Sequence, residues 1–291
     1  MAASRNTSSP HRTNLVVVRA GTESLHLAWR LPAERSWDLA TLVYDDELMR
    51  QVASGRTSSG EFLIDNRAYG FKFHGIRAFL EHTERIDRYN AIFMPDDDLL
   101  IEPQLIDSLF DIFRRSGASF GQPALTWDSY VSHFVTLHNL AFIYRETNFA
   151  EVMCPLMTRD FVFSVLPTFT ENNSGWGLDV LWAHKCEAAG ARTIIVDAIP
   201  VKHTRPVGGG GLYGRTGTPP TEELKVLLTK YKLTFPAQKV LRGLPDLDFH
   251  HPKSRTLLES FIAGYSAEII AHPDFARLLN NSYPYLVRTV S

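Results

Sequence analysis

The stretch Ala91-Ile-Phe-Met-Pro-Asp-Asp-Asp98 sets an apolar run directly against three consecutive acids. The apolar half fits a buried strand, and the proline and aspartates end it. Ligands bind beyond the carboxyl ends of the strands in an open α/β sheet, and a cation offsets the repulsion between adjacent carboxylates. We therefore predict a divalent-metal site at Asp96 and Asp98, while a turn or a helix N-cap remains the alternative for these acids.

Strand and helix patterns alternate around this stretch. Short apolar runs predict strands at residues 15–18, 39–44, 91–94, 118–121 and 193–196. Helical spacing of apolar residues predicts helices at residues 71–85, 105–113 and 177–189. Residues 132–144 and 149–157 are less regular and fit mixed strands at the far side of the sheet. This order predicts an α/β fold with a mostly parallel sheet flanked by helices.

Composition divides the chain into four parts. Residues 1–13 are polar and predict a disordered tail, and residues 14–206 carry the α/β pattern. Residues 207–220 are rich in glycine, which predicts either a mobile loop that closes over a ligand or a plain linker. Residues 221–291 carry helical patterns and predict a helical C-terminal appendage.

Charge and cysteine content exclude several classes of protein. A formal net charge of −2 over 291 residues gives no basic surface for nucleic acid. Cys154 and Cys186 do not make a disulfide framework, and no apolar run is long enough for a membrane-spanning helix. We expect a protein in a reducing compartment, the cytoplasm, either free or peripheral at a membrane.

A second motif, Glu171-Asn-Asn-Ser-Gly-Trp-Gly-Leu-Asp179, brings two glycines, a tryptophan and an acid to the start of a predicted helix. Glycines allow a ligand to approach the backbone, and an aromatic face stacks on a sugar ring. This predicts acceptor binding at Trp176 and Gly177, with Asp179 pointing to the acceptor. Asp179 fits N-terminal capping of the helix equally well.

A third motif, Val201-Lys-His-Thr-Arg205, follows the last predicted strand. Lys202 and Arg205 can neutralise phosphate, and imidazole together with carboxylates suits manganese. A purely structural role is the alternative for His203.

Together these motifs resemble the metal-dependent GT-A glycosyltransferases, in motif order the β-1,4-galactosyltransferase type. The stretches Tyr89-Asn-Ala-Ile-Phe-Met-Pro-Asp-Asp-Asp98, Gln122-Pro-Ala-Leu125 and Trp176-Gly-Leu-Asp179 also resemble a little-characterised plant and bacterial GT-A-like family. The resemblance covers residues 14–206 and implies a GT-A-like, Rossmann-like catalytic domain. The chain departs from the galactosyltransferase pattern in having one acid where that type has an acidic cluster.

The resemblance assigns a role to each candidate residue. Asp98 would ligate Mn²⁺ or Mg²⁺, Asp96 would hold the ribose or a metal-bound water, and His203 would be a third protein ligand. Asp179 would be the general base. Asp45, at the end of the second strand, would contact the nucleoside, with Lys202 and Arg205 at the diphosphate.

The expected activity is transfer of a sugar from a nucleotide-diphosphate donor to a carbohydrate or glycan hydroxyl, with inversion. Two kinds of alternative stay open. One is a different metal-dependent enzyme, such as a nucleotidyltransferase or another nucleotide-sugar enzyme, or a glycoside hydrolase with two carboxylates about one bond. The other is a catalytically inactive carbohydrate-binding protein that kept the fold.

Overall fold

A computed structural model describes residues 12–30, 34–53, 61–83, 86–207, 217–246, 257–265 and 267–277. Its strands are β1 (Asn14–Ala20), β2 (Trp37–Val43), β3 (Glu61–Asp65), β4 (Ala91–Phe93), β5 (Leu99–Leu100), β6 (Phe120–Leu125), β7 (Phe142–Thr147), β8 (Leu156–Thr158), β9 (Thr193–His203) and β10 (Val240–Pro245). Its α-helices are α1 (Asp46–Ala53), α2 (Lys72–His82), α3 (Leu105–Ser116), α4 (Arg159–Val165), α5 (Leu178–Ala188), α6 (Pro220–Tyr231), α7 (Leu257–Ala263) and α8 (Ala267–Ala271). Most of the predicted tail at residues 1–13 and of the predicted glycine-rich loop at residues 207–220 lies outside the described residues.

One sheet runs through the described part of the chain, in the order β10-β7-β9-β6-β8-β4-β1-β2-β3. The pairs β1–β2, β2–β3, β1–β4 and β6–β9 are parallel. Strand β8 lies antiparallel between β4 and β6, and β7 and β10 add antiparallel pairs at one edge. The prediction of a mostly parallel central sheet flanked by helices is confirmed.

The central strand β1 is buried on both faces because its side chains alternate between two cores. Leu15 and Val17 pack in the core that α2 and α5 cover, whereas Val16 and Val18 pack in the core that α3 covers. A parallel strand covered by helices on both faces needs a continuous apolar run rather than an alternating one, as Leu15–Val18 provides. None of the described helices is long and apolar enough to cross a bilayer.

Helix α3 follows the predicted apolar stripe. Its buried apolar side chains are those of Ile106, Leu109, Phe110 and Phe113. The helix ends at Gly117, whose φ of 66° is the left-handed conformation that favours glycine after a helix. The spacing of the apolar residues therefore predicted the start of this helix and the face that it buries, while Gly117 sets its end.

The C-terminal segment differs from the helical appendage predicted at residues 221–291. It contains helices α6, α7 and α8, but residues 240–245 form β10, which pairs antiparallel with β7. Phe261, Tyr265 and Phe275 pack in a third apolar core with residues of the α/β region, among them Phe142. The segment is therefore built into the sheet and its core.

A buried ion pair connects this third core to the centre of the sheet. Arg145 on β7 donates from Nε and Nη2 to the two carboxylate oxygens of Asp197 on β9, both at 2.8 Å, and neither side chain is exposed to solvent. Arg145 Nη1 also lies 2.9 Å from the hydroxyl of Tyr265. The bidentate geometry and the added hydrogen bonds offset the cost of removing both charges from water.

We expect Arg145→Met to destabilise the protein by about 3–5 kcal/mol, because it leaves the Asp197 carboxylate buried without its partner. Urea unfolding followed by circular dichroism measures this loss. The matched control is Arg115→Met, since Arg115 pairs with Asp111 on an exposed surface of α3 and should change stability little. Equal unfolding midpoints for Arg145→Met and the wild type would contradict the prediction.

Candidate functional site

The acidic turn, residues 96–98, lies where the carboxyl ends of β4, β1 and β2 meet. Parallel pairing in register brings these ends together. The backbone N–H of Gly21, just after β1, donates to Asp97 Oδ2 at 3.2 Å, and the N–H of Leu25 donates to the Asp97 carbonyl at 2.7 Å. The acidic turn is therefore held against the loop that follows β1, at the edge where ligands bind in open α/β sheets.

Each carboxylate of the acidic turn faces a different basic side chain. Lys72 Nζ lies 2.7 Å from Asp96 Oδ1, and Arg205 Nη1 lies 3.9 Å from Asp97 Oδ1. His203 Nε2 lies 3.3 Å from Asp98 Oδ2. Burial, together with repulsion from the two neighbouring acids, raises the pKa of Asp97 to about 6. The turn therefore brings three acids together, with one basic side chain beside each of them.

The position of His203 follows from strand pairing. Strand β5 places Leu99 opposite His203 in antiparallel register, which brings the preceding residue, Asp98, to the imidazole. His203 Nδ1 lies 2.8 Å from the Tyr130 carbonyl, which can only accept, so Nδ1 carries a proton. Nε2 is thereby directed at Asp98, the arrangement that metal-ligating histidines use.

The donor groups at this point suit a divalent cation. Asp98 Oδ1 is buried and has no hydrogen-bond partner, although a buried carboxylate oxygen normally has one. Asp98 and His203 would supply one oxygen and one nitrogen ligand, a set acceptable to Mn²⁺. Within the described ranges, no three His, Cys, Asp or Glu side chains converge on one point.

Asp179 lies in the first turn of α5 and is 6 % exposed. Its carboxylate accepts hydrogen bonds from backbone N–H groups, including that of Val180 at 2.9 Å and that of Val152. Burial outweighs these bonds and raises the pKa of Asp179 to about 7. The residue thus satisfies N–H groups at the start of the helix and, at the same time, has the pKa that a general base needs near neutral pH.

A short loop joins the acidic turn to Asp179; we call residues 151–154 the bridging loop. The backbone N–H of Asp96 donates to the Met153 carbonyl at 2.8 Å, and the Val152 N–H donates to Asp179. Lys72 Nζ donates to the carbonyls of Val152 and Met153 at 2.9 and 3.0 Å. The bridging loop therefore fixes the distance between the candidate metal ligands and the candidate base.

Two residues of this arrangement, Lys72 and Glu151, were missing from the sequence prediction. Lys72 begins α2, and its ammonium group joins Asp96 to the bridging loop. Glu151 lies in the bridging loop and is 5 % exposed. Single charged residues far from the motifs in sequence give no periodic signal. An acid inside an otherwise apolar stretch, as at residues 149–157, was the available hint for Glu151.

Asp45 lies beside the acidic turn, on the far side of Gly21. It accepts from the backbone N–H groups of Thr22 and Leu48, both at 2.6 Å, and so ties the start of α1 to the loop after β1. Burial opposes ionisation here, but these hydrogen bonds outweigh it and lower the pKa of Asp45. Next to Asp45, the partly exposed ring of Tyr44 lies under the guanidinium of Arg19, 4.9 Å from its centroid. Contact between Asp45 and a nucleoside stays a prediction.

The other predicted residues are placed less directly. Lys202 binds Asp128 on the surface, and because side chains alternate along a strand it lies on the opposite face of β9 from His203. Gly177 has a φ of 89°, and a Cβ added to it would lie 2.8 Å from Leu224 of α6, so its small size serves helix packing. Trp176 is half-buried. Acceptor binding at Trp176 and Gly177 stays a prediction.

Comparison with known proteins shows the fold. No protein-family model and no curated protein matches the chain. A crystal structure of GalNAc-T7 with UDP, GalNAc and Mn²⁺ matches 76 % of the chain at 9 % identity with a TM-score of 0.53. A crystal structure of S. aureus TarS 1-349 matches at 10 % identity with a TM-score of 0.45, and the match covers 65 % of this chain and 59 % of the TarS chain. The chain spans about half of the GalNAc-T7 chain, 48 %, and has a GT-A-like fold.

We expect the affinity for Mn²⁺ to increase as the pH rises through the pKa of His203. Burial lowers the pKa of His203, but the contacts with Asp98 and Tyr130 outweigh it and raise that pKa above its usual value of 6.5. The metal must displace the Nε2 proton, so binding is weaker below that pKa. Calorimetric titration with Mn²⁺ and UDP at pH 6 and pH 8 measures the effect.

His203→Ala should weaken Mn²⁺ binding and remove most of its pH dependence, while Asp98→Ala should abolish binding. His82→Ala is the matched control, because His82 ends α2 at an exposed position and bonds only to its own helix, at the Ala78 carbonyl. An unchanged Mn²⁺ affinity in both site variants would contradict the assignment of the metal ligands.

Proposed function

We propose that this chain is a metal-dependent glycosyltransferase, which moves a sugar from a nucleoside-diphosphate donor to an acceptor hydroxyl. The observation that carries the proposal is the bridging loop. On one side the loop binds Asp96 and Lys72, which hold the acidic turn that contains Asp98, the partner of His203. On the other side the Val152 N–H of the loop binds Asp179. Sugar transfer needs these two kinds of group at one site, a cation for the leaving diphosphate and a base for the acceptor. The GT-A-like fold supports the same conclusion.

The donor would bind on the side of the acidic turn. When bound to Asp98 and His203, with Asp96 beside it, a divalent cation would offset the negative charge of the leaving diphosphate. Arg205 would donate a charge-assisted hydrogen bond to the diphosphate, since its guanidinium lies at the acidic turn, beside Asp97 and the Glu23 carbonyl. Asp45 and the partly exposed ring of Tyr44 would receive the nucleoside.

The acceptor would bind on the side of Asp179. Its carboxylate would take the proton of the acceptor hydroxyl as that oxygen attacks the anomeric carbon, while the bond from that carbon to the diphosphate oxygen breaks. The charge of the leaving group stays with the diphosphate. Attack from the face opposite the leaving group inverts the anomeric centre, so the proposal includes inversion. The order of the motifs further suggests the β-1,4-galactosyltransferase type.

The competing functions differ in what they require of the site. A glycoside hydrolase would use two carboxylates about one bond without nucleotide or metal, whereas Asp98 faces a histidine. An inactive carbohydrate-binding protein would have no use for an acid with a pKa near 7 at the acceptor side. A thermal-shift screen with UDP, GDP and their sugars, with and without Mn²⁺, separates the classes, because a ligand that binds the native state raises its stability. A rise in unfolding temperature that needs both nucleotide and metal supports the proposal. An unfolding temperature that no nucleotide or sugar nucleotide changes, with or without Mn²⁺, contradicts it.

Other expectations from the sequence stay predictions beside this proposal. They are the cytoplasmic or membrane-peripheral location, the closure of the glycine-rich loop over the donor and the binding of a glycan acceptor. UDP-sugars are the first donors to test, because the crystal structure of GalNAc-T7 contains UDP, GalNAc and Mn²⁺.

We expect Asp179→Asn to lower turnover by about two to four orders of magnitude, the usual contribution of a general base, with donor affinity nearly unchanged. The same substitution should raise the unfolding temperature at pH 8. The folded pKa of Asp179 is raised to about 7 from 3.8, so ionising this buried acid costs stability as pH rises through that range, and the amide avoids the cost.

Initial-rate kinetics and thermal unfolding test the two halves of this prediction separately. The control is Asp160→Asn, whose side chain is 83 % exposed and should change neither quantity. Near-normal turnover in Asp179→Asn would refute the role as base. Retention at the new anomeric centre, observed by NMR, would refute the single displacement.

A further inference from the structure

Glu151 is a buried acid that the mechanism above does not use. Its side chain is 6 % exposed, and Oε2 has no hydrogen-bond partner. Its backbone N–H donates to Gln122 Oε1, which fixes the start of the bridging loop on β6. A buried polar atom without a partner loses its hydrogen bonds to water and gains none in return, so an apolar residue at this position would be more stable. The chain nevertheless places a carboxyl group here.

The nearest basic side chain leaves Glu151 unsatisfied. His133 Nδ1 lies 2.8 Å from the amide nitrogen of Gln238, and burial lowers the pKa of this histidine to about 4, so the ring is neutral. Nδ1 accepts from the amide, which leaves the ring proton on Nε2. Nε2 is 3.8 Å from Glu151 Oε1, too far for a hydrogen bond. His133 therefore neither neutralises Glu151 nor binds Oε2.

The charged groups around Glu151 belong to both halves of the candidate site. Burial, and then the negative charges of Asp179 and Asp96, raise the pKa of Glu151 to about 8, although His203 opposes this. Near neutral pH the group is therefore a carboxylic acid, with one O–H donor and an acceptor oxygen. A sugar hydroxyl also has one donor and acceptor lone pairs, so the two groups can exchange hydrogen bonds.

We propose that Glu151 is a sugar-binding residue, whose carboxyl group exchanges hydrogen bonds with a hydroxyl of the sugar that is transferred. The inference rests on the proposed function. The diphosphate lies toward Asp98 and the acceptor toward Asp179, so the transferred ring occupies the space between them, beside the bridging loop that carries Glu151. The carboxyl group then contributes to the choice of donor, because a donor without that hydroxyl leaves a buried group unpaired.

The test compares Glu151→Ala and Glu151→Gln by calorimetry, with Mn²⁺ and with UDP, GDP and their hexose and N-acetylhexosamine derivatives as ligands. Glu151→Ala should weaken binding of the preferred sugar nucleotide about 3- to 10-fold, the loss of one hydrogen bond, and leave the nucleoside diphosphate unaffected. Glu151→Gln keeps a donor and an acceptor in place and should restore most of the affinity. If the alanine variant does not fold, Glu151→Met removes the polar atoms at nearly the same volume.

Glu146→Ala is the matched control. Glu146 lies on β7 and is about as buried as Glu151, at 7 % exposed, but its carboxylate pairs with Arg242 on β10. It should lower stability without changing the affinity for sugar nucleotides. Unchanged sugar-nucleotide affinity in Glu151→Ala would overturn the inference. A glutamine variant as weak as the alanine variant would also overturn it, since that result requires an ionised carboxylate.

Deoxygenated donors provide the second measurement. For the preferred donor, removal of the contacted hydroxyl should weaken binding to the wild type and have no further effect in Glu151→Ala, because the two changes remove one interaction. Additive losses for every hydroxyl would contradict the contact. If the wild type binds no nucleotide with Mn²⁺, the proposed function fails and the inference falls with it. If the wild type binds nucleotide with Mn²⁺ but the Glu151 variants bind sugar nucleotides as tightly as the wild type, the inference alone is refuted.

Discussion

The repulsion between three adjacent carboxylates is the constraint around which this end of the molecule is arranged. The structure places one basic side chain beside each acid, and these side chains come from two distant parts of the chain. Lys72 comes from α2, His203 from the end of β9 and Arg205 from the segment after it. Each of these contacts requires a long-range pairing, of which the β5–β9 register is the clearest. The edge of the sheet is therefore ordered by its own charge as well as by its apolar cores.

Two acids at the site, Asp179 and Glu151, owe their raised pKa values mainly to burial, but their hydrogen bonds differ. Asp179 accepts several backbone N–H bonds, which favour its ionised form, and its pKa stays near 7. Glu151 has an unpartnered oxygen and keeps its proton to about pH 8. Environments that separate the pKa values of neighbouring acids assign them different chemical tasks. The loop that carries Glu151 also donates the Val152 N–H to Asp179 on α5, so an acid with a pKa of about 8 and one with a pKa of about 7 are held by the same segment.

The sequence predicted the elements whose apolar patterns are continuous. Strands β1 and β4 and helix α3 fall where the patterns placed them, and two of the three predicted metal ligands, Asp98 and His203, lie in contact. Strand β9 was predicted only to Val196 because the buried Asp197 and the proline at 200 interrupt its apolar run, yet it extends to His203. Strand β10 was missed because Arg242, Gly243 and Pro245 are unusual in strands. Partners such as Lys72 and Glu151 follow from tertiary contacts, which no local pattern encodes.

The contacts between the buried Arg145 region and residues 261–265 affect the order in which the two halves of the sheet can fold during synthesis. The ribosome releases β7 and β9 well before α7, yet Arg145 shares its hydrogen bonds with Tyr265, and Asn139 donates from its side chain to the Phe261 carbonyl at 2.8 Å. Until residues 261–265 emerge from the ribosome, Arg145 and Asn139 cannot make these hydrogen bonds to Tyr265 and Phe261. Among the described strands, β1–β4 pair only with one another and with β8. A nascent chain can therefore complete the half of the sheet that contains β1–β4 early, while the other half waits for the last segment to leave the exit tunnel.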